Sequence, residues 1–172
     1  MESQIIKKAI SGDSEALTIL IDKYKDIAFN LALSIVKNRD DAKDITQDSF
    51  LKILENINRF RSDSKFSTWL YRIVYNQSIG FIKRENRANS VDYSLLIEIS
   101  ENNDNKEGEI QDLYKAINKL EDTDRNIIML FYLAEKTIKE IAQITGLSIS
   151  NIKVILHRAR KKLVEKMEYE NN

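Results

Sequence analysis

Residues 137–163 read TIKEIAQITGLSISNIKVILHRARKKL, two short amphipathic stretches joined across a single glycine. Apolar side chains stand at Ile138, Ile141, Leu147, Ile152 and Ile155, with Ala142 four residues before Gly146. Two helices that cross steeply leave room for little more than a methyl group at the crossing, which accounts for Ala142. The chain between them turns through a left-handed residue, a conformation glycine adopts without steric cost. Ser148 is placed to cap the second helix by accepting backbone N–H bonds. On that helix Ile152, Ile155, Leu156, Ala159 and Leu163 recur every three to four residues and form the inward stripe. The opposite face carries Lys153, His157, Arg158, Arg160, Lys161 and Lys162. A helix of this kind suits the major groove of DNA, its cations set for phosphates.

Composition narrows the classes around that motif. The 172 residues carry no formal net charge, no cysteine, no proline and one histidine. The charge is unevenly spread. Residues 1–88 and 113–172 each hold a surplus of Lys and Arg, while residues 89–112 hold Lys106 alone among seven acids. Two mildly basic units joined by an acidic stretch fit a nucleic-acid binder better than the overall neutrality suggests. Without cysteine there is neither a disulfide nor thiolate chemistry. One histidine leaves a zinc site to carboxylates, which seldom build one. The N-terminus, MESQIIKKAISGD, lacks the apolar core of a signal peptide, and no run approaches a membrane span. The expected location is the cytoplasm. No Ser/His/Asp or Cys/His set and no phosphate loop appears, so no enzyme activity, cofactor or small-molecule substrate is expected. The scarcity of helix breakers predicts an all-α fold.

The pattern upstream supports that class. Gly12-Asp13-Ser14 closes a short first helix and starts a longer one, striped by Leu17, Leu20, Ile21, Tyr24, Ile27, Leu31 and Ile35. Asn38-Arg39-Asp40 marks a turn, with Asp40 the expected cap of the next helix. Ala42, Ile45, Phe50, Ile53, Leu54 and Ile57 form that helix's apolar stripe. A polar loop runs from Arg59 to Lys65, and a further helix leads from Phe66 to Lys83, Arg84 and Arg87. Periodicity fades between Ala88 and Gly108 apart from the patch VDYSLLIEI, then returns at Ile110, Leu113, Ile117 and Leu120. A helix around Arg125 to Ala134 leads into the helix-turn-helix. The expected organisation is two small helical domains, 1–88 and 110–172, with four helices each, joined by a flexible acidic linker over 89–109.

Three features of the first unit carry chemistry. The segment DDAKDITQDSFLKIL exposes Asp41, Asp44, Gln47 and Asp48 along one helical face, suited to a basic protein surface. The loop Phe60-Arg61-Ser62-Asp63-Ser64-Lys65-Phe66 combines aromatics with cations, the mixture that receives an unstacked base. The helix after it mixes Trp69, Tyr71, Tyr75 and Asn76 with Arg72, Lys83 and Arg84. Trp69 falls on its inward stripe and is read as core.

Taken in order, these strings resemble the two conserved regions of RNA polymerase sigma factors of the extracytoplasmic-function (ECF) type. The matching strings are D-A-x-D-I-x-Q-D-x-F from Asp41 to Phe50, F-R-S-D-S-K-F-S-T-W-L-Y-R-I from Phe60 to Ile73, and Asn76. They continue with L-x-x-x-x-R from Leu120 to Arg125, E-I-A-x-x-x-G-x-S from Glu140 to Ser148, and the run from Ile152-Lys153 through L-H-R-A-R-K-K-L. The resemblance implies that Asp41, Asp44, Gln47, Asp48 and Leu51 grip the β′ clamp coiled coil of core RNA polymerase, which the chain meets together with the β subunit. It implies that Phe60, Arg61, Ser62, Asp63, Ser64 and Lys65, with Asn76, receive a base flipped from the minus-ten promoter element, and that Lys83 and Arg84 hold the backbone there. It places Ser148, Ser150, Asn151, Lys153, Val154, His157, Arg158 and Lys161 on the minus-35 element. An anti-sigma factor, often membrane-anchored, is the further partner it implies.

The physics of that division is coherent. Flipping a base costs about a few kcal/mol of unstacking, which a small unit offsets only when held in place over a preformed pocket. Two linked units bound to two DNA elements gain effective concentration, so each can be weak alone. Three positions depart from the family's usual residues: Gly80 for Asp, Glu121 for Pro and Ile155 for Arg. Val154 and Ile155 leave fewer hydrogen-bonding groups for bases and shift the expected reading towards thymine methyls. His157 is read as facing solvent or phosphate. The alternative function is a dimeric helix-turn-helix regulator acting without polymerase, which leaves the string from Phe60 to Asn76 unexplained.

Overall fold

Glycine and capping side chains cut the N-terminal half into four helices. The computed structural model describes residues 2–88, 116–117 and 119–170. Helix α1 (Glu2–Ile10) ends at Gly12, whose φ of 90° is open to glycine. Asp13 caps α2 (Ser14–Val36), its carboxylate accepting from the Ala16 N–H at 3.0 Å. Lys37 closes α2 in the left-handed conformation, and its N–H returns to Leu33 O. Helix α3 (Arg39–Asn56) is capped by Asn38, which accepts from the Asp40 and Asp41 N–H groups at 2.9 and 3.1 Å. The expected cap, Asp40, is one residue inside the helix. Asparagine lies at the extended position that a cap requires, while Asp40 supplies first-turn negative charge instead. A 3₁₀ turn (Ile57–Arg59) leads into the loop, and α4 (Phe66–Ala88) follows.

Small residues set how closely these helices pack. Ala28, Ala32 and Ala42 have no exposed surface, and Leu20, Leu31, Ile53, Leu70 and Val74 fill the space around them. The buried hydroxyls of Ser34, Thr46, Ser49 and Ser78 each donate to a carbonyl of their own helix, three or four residues back, so these four groups are satisfied inside the core.

The C-terminal helices are α5 (Asp122–Ile128), α6 (Ile138–Thr145) and α7 (Ile149–Glu170). Between α5 and α6 the chain widens into a π turn (Met129–Leu133), where the sequence pattern predicts one continuous α-helix to Ala134. The turn keeps Leu130 buried while presenting Tyr132 to solvent. Ile117 and Leu120 are buried as expected; Ile110, Leu113, the patch VDYSLLIEI and the segment 89–109 lie outside the described residues. No strand occurs among the described residues, and no helix there is long and apolar enough to cross a membrane.

The buried apolar residues form one continuous cluster from Ala9 to Leu163. Helix α6 packs on α4, and α5 packs on α2. The helix-turn-helix therefore rests against the α1–α4 bundle, a placement that the sequence pattern does not indicate.

Candidate nucleic-acid interface

The recognition helix is positioned from both ends. At the start of α6, Thr137 and Glu140 form a capping box: the Glu140 carboxylate accepts from the Thr137 N–H and hydroxyl, both at 2.8 Å, while the Glu140 N–H donates to the Thr137 hydroxyl. Gly146, at φ 77°, ends α6 and returns its N–H to Ala142 O. Ser148 then accepts from the Asn151 N–H at 3.2 Å, as expected of the cap of α7. Ile152, Ile155, Leu156, Ala159 and Leu163 all face inward.

Ser148, Ser150, Asn151, Lys153, Val154, His157, Arg158 and Lys161 lie together on the exposed side of α7. Val154 is 62 % exposed, whereas Ile155 is 4 % exposed. Of the two apolar residues expected to alter base reading, only Val154 faces outward; Ile155 belongs to the core.

The cations of α7 whose side chains are described divide into two groups. Arg158 pairs with Asp124, a carboxylate with no exposed surface, through Nη2 and through Nε at 3.2 Å. Lys162 reaches the same carboxylate at 3.2 Å and Glu121 at 3.0 Å. Burial opposes the charge on Asp124, yet these two cations hold its carboxyl below its usual range. Arg160 donates to the Tyr132 hydroxyl at 2.8 Å and stands over the rings of Phe131 and Tyr132. Lys153 and His157 make no side-chain hydrogen bond or ion pair among the described residues, and Lys161 is 3.9 Å from Glu165.

The loop after α3 lies over an aromatic cluster. Phe60 meets Phe66 edge-on at 5.5 Å and Trp69 at 5.4 Å, and Tyr24 closes the group against Phe66. Phe60 and Trp69 are half-buried, so each contributes both to the core and to the floor of the loop. Arg61, Ser62 and Asp63 are exposed, and Ser62 holds the left-handed conformation at φ 59°. Such local strain persists where the surroundings fix the loop's shape. From Trp69, residues Arg72, Asn76, Gly80 and Lys83 continue along one face of α4 at helical spacing, and Arg84 is exposed beside them. Gly80 opens onto free space.

Lys65 is exposed but not free. Its ammonium lies 3.1 Å from the Glu140 carboxylate, which also accepts from the Thr68 hydroxyl at 3.3 Å. Burial opposes the Glu140 charge, but the Thr137 bonds and Lys65 outweigh it and hold the carboxyl down at about 2. Beside it, buried Lys136 donates to the Ser67 hydroxyl at 2.7 Å and stands over the Tyr71 ring. Burial lowers the Lys136 ammonium below its usual range. Nothing in the sequence pattern marks Ser67, Thr68, Lys136 or Asp124 as functional. The string Thr137-x-x-Glu140 is the one legible signal, since it has the pattern of a capping box.

On α3, Asp44, Gln47, Asp48 and Leu51 are exposed at helical spacing, and Leu51 is 59 % exposed. Asp41 is half-buried at its edge. Burial first, then the charges of Glu85, Asp44 and Asp40, push its carboxyl above the usual range. Exposed carboxylates around one apolar side chain are chemically matched to a cationic protein surface with an apolar socket.

Two family models match the chain: Sigma-70 region 2 over residues 20–88 and Sigma-70, region 4 over residues 110–163. The chain is 30% identical over 172 residues to the ECF RNA polymerase sigma factor SigW of Bacillus subtilis, covering 92% of each chain. It is also 30% identical over 156 residues to the RNA polymerase sigma factor SigV of Bacillus subtilis, covering 91% of this chain and 93% of the other. Among solved structures, the sigma factor RpoE of Bartonella quintana, in complex with the anti-sigma factor NepR, matches with a TM-score of 0.74 at 24% identity, over 88% of this chain and 96% of that one. CnrH in complex with the cytosolic domain of CnrY matches with a TM-score of 0.68 at 23% identity, over 96% of each chain. These two structural likenesses show the fold.

Proposed function

Because the chain belongs to the sigma-70 family, among its ECF-type factors, we propose that it works through three separate surfaces that the fold sets out. The protein binds core RNA polymerase and directs promoter-specific transcription initiation. In our reading residues 1–88 form the unit that meets polymerase and the minus-ten element, 89–109 the linker, and 110–172 the minus-35 unit. The acidic face of Asp41, Asp44, Gln47 and Asp48, with Leu51 exposed among them, takes the β′ clamp coiled coil. The loop from Phe60 to Lys65 and Asn76 take a flipped minus-ten base, and Lys83 and Arg84 follow the backbone. The exposed side of α7 takes the minus-35 duplex, with Val154 offered to a thymine methyl and Lys153 to phosphate.

The observation that carries this reading is the pairing of an exposed acidic face around Leu51 on α3 with a cation-bearing, aromatic-floored surface on the next helix, in one bundle. The first needs a basic protein partner; the second suits unstacked nucleic acid. The relatives are sigma factors along nearly their whole length, which leaves nothing to favour a polymerase-independent regulator. An anti-sigma protein is the further partner in this proposal, by analogy with the complexes of RpoE and CnrH. Transcription with core polymerase on a promoter library tests the reading: new start sites should appear only with this chain present. Tight, specific binding to duplex promoter DNA without polymerase would count against it.

A further inference from the structure

The packing of the chain gives Gly80 no reason to be glycine. The other two glycines described, Gly12 and Gly146, turn the chain at left-handed φ values of 90° and 77°. Gly80 lies instead in the interior of α4, with helix on both sides. Glycine is the poorest helix former there after proline, because its unfolded chain has the most freedom to lose. A Cβ added at Gly80 would meet no atom within 4 Å, so no neighbouring helix among the described residues requires the side chain to be missing. Close approach of another molecule to the backbone is the remaining use of a glycine so placed.

The surroundings of Gly80 identify that molecule. Residues three and four positions apart stand beside one another on a helix, and for Gly80 these are Asn76, Gln77, Lys83 and Arg84. Two amides frame the notch towards the start of α4, and two cations frame it towards the end. None of the four is buried, and none has a hydrogen bond or ion pair among the described residues. Amides read base edges, and cations hold phosphate. The two pairs stand roughly 10 Å apart along the axis, at about 1.5 Å per residue, which matches the reach of one nucleotide from phosphate to base. Arg72 and Trp69 extend the same face to the aromatic floor of the minus-ten loop. A protein partner fits less well, because the frame holds no apolar side chain to anchor one.

We propose that Gly80 is a contact residue for promoter DNA: the sugar of one unpaired nucleotide lies on the bare backbone there, its phosphate on Lys83 and Arg84 and its base edge against Asn76 and Gln77. This rests on the sigma-factor reading above, which takes a base to Asn76 and the backbone to Lys83 and Arg84 and assigns nothing to the space between. A side chain at Gly80 would stand where the sugar passes. The missing side chain therefore sets how closely the opened strand approaches α4.

Gly80→Ala separates a DNA contact from a folding role, because stability and activity should move in opposite directions. Better helix propensity should raise the thermal midpoint by about 2 to 4 °C. The methyl group should slow promoter opening by the holoenzyme about tenfold, through crowding of a filled contact. Gly80→Leu should slow it further while remaining folded. Opening is read by permanganate footprinting on a promoter recovered from the library, with a three-carbon spacer replacing the sugar and base of each minus-ten nucleotide in turn. At one spacer position the Gly80→Ala and parent holoenzymes should open at equal rates, since the obstructed sugar is gone. An abasic site at that position keeps the sugar and should keep the tenfold gap. Three results overturn the contact: parental opening by Gly80→Ala, a gap that survives every spacer, or equal rates at the abasic site. The first means no contact, the second a stiffened helix, and the third a base where the sugar is placed. A parent chain that opens no promoter with core polymerase would sink the sigma-factor reading and the contact together. Normal opening by parent and Gly80→Ala alike would sink the contact alone.

Discussion

Replacing Glu140 by Gln isolates the charge that joins the capping box to the start of α4. The carboxylate accepts four hydrogen bonds, two from Thr137, one from Lys65 and one from Thr68. Glutamine keeps the shape and one acceptor oxygen but loses the charge. The carboxyl lies at about 2 in the folded chain against 4.5 for the ordinary side chain, a gap worth about 3 kcal/mol at neutral pH. Glu140 is nearly buried, at 12 % side-chain exposure, but Lys65 is 70 % exposed and screened by water. Allowing for that screening and the retained oxygen, the loss at pH 7 is about 2 kcal/mol. Because the folded-state value is depressed, the contribution is complete above about 4.5 and is lost as pH falls from there through about 2. Urea unfolding, followed by Trp69 emission and by circular dichroism, measures it. With a slope of about 2 kcal/mol per molar urea, the Glu140→Gln chain should unfold about 1 M earlier at pH 7. The two curves should converge near pH 2. Equal midpoints at pH 7, or a gap that persists unchanged at pH 2, would refute the assignment of this charge.

Asp44→Arg should abolish assembly with core polymerase in a pull-down while leaving the thermal midpoint unchanged, since Asp44 is exposed. Asn76→Ala should slow promoter opening, read by permanganate footprinting, more than it weakens initial recruitment; equal losses would contradict the flipped-base role. Lys153→Ala, on promoter DNA in the holoenzyme, should lower the salt dependence of binding by about one phosphate contact. Arg158→Ala should instead destabilise the fold by about 1 to 3 kcal/mol, read as a lower midpoint of thermal unfolding, because it strips a charge-assisted partner from buried Asp124. Gly146→Ala should cost about 1 kcal/mol through its left-handed φ alone, as nothing crowds the added methyl.

The helices are legible in the sequence because their periodicity and end signals act locally. Gly12-Asp13 and Gly146 break the chain where backbone geometry demands it, and the stripe from Ile152 to Leu163 faces inward as its spacing requires. The choice between Asn38 and Asp40 is harder, since both residue types cap well and only the backbone at Asn38 is extended. The π turn leaves no periodic trace, because one inserted residue in a short helix is indistinguishable from a shifted stripe. Ile155 carries two readings, core by spacing and base contact by analogy, and spacing is right. The contact of the helix-turn-helix with α4 is invisible for a different reason. Ser67, Thr68 and Lys136 are polar residues whose partners lie about 70 positions away in the chain, and no local pattern marks such pairs.

The cations of α7 divide between holding the helix in place and facing solvent. Arg158, Arg160 and Lys162 spend their charge on Asp124, Tyr132 and Glu121, fixing the helix against α5 and the π turn. Among the side chains described, the proposed reading then leaves Lys153, His157 and the loosely paired Lys161 to meet phosphate. Two or three contacts give a salt slope of only about −2 to −3, far below that of a repressor that holds DNA unaided. A recognition helix tied down in this way gains rigid placement and gives up stand-alone affinity. The deficit is recovered when polymerase holds both units over one promoter, where a second binding event proceeds at an effective concentration in roughly the millimolar range. Weak reading of DNA by each unit and obligatory seating on polymerase are thus consequences of the same ion pairs.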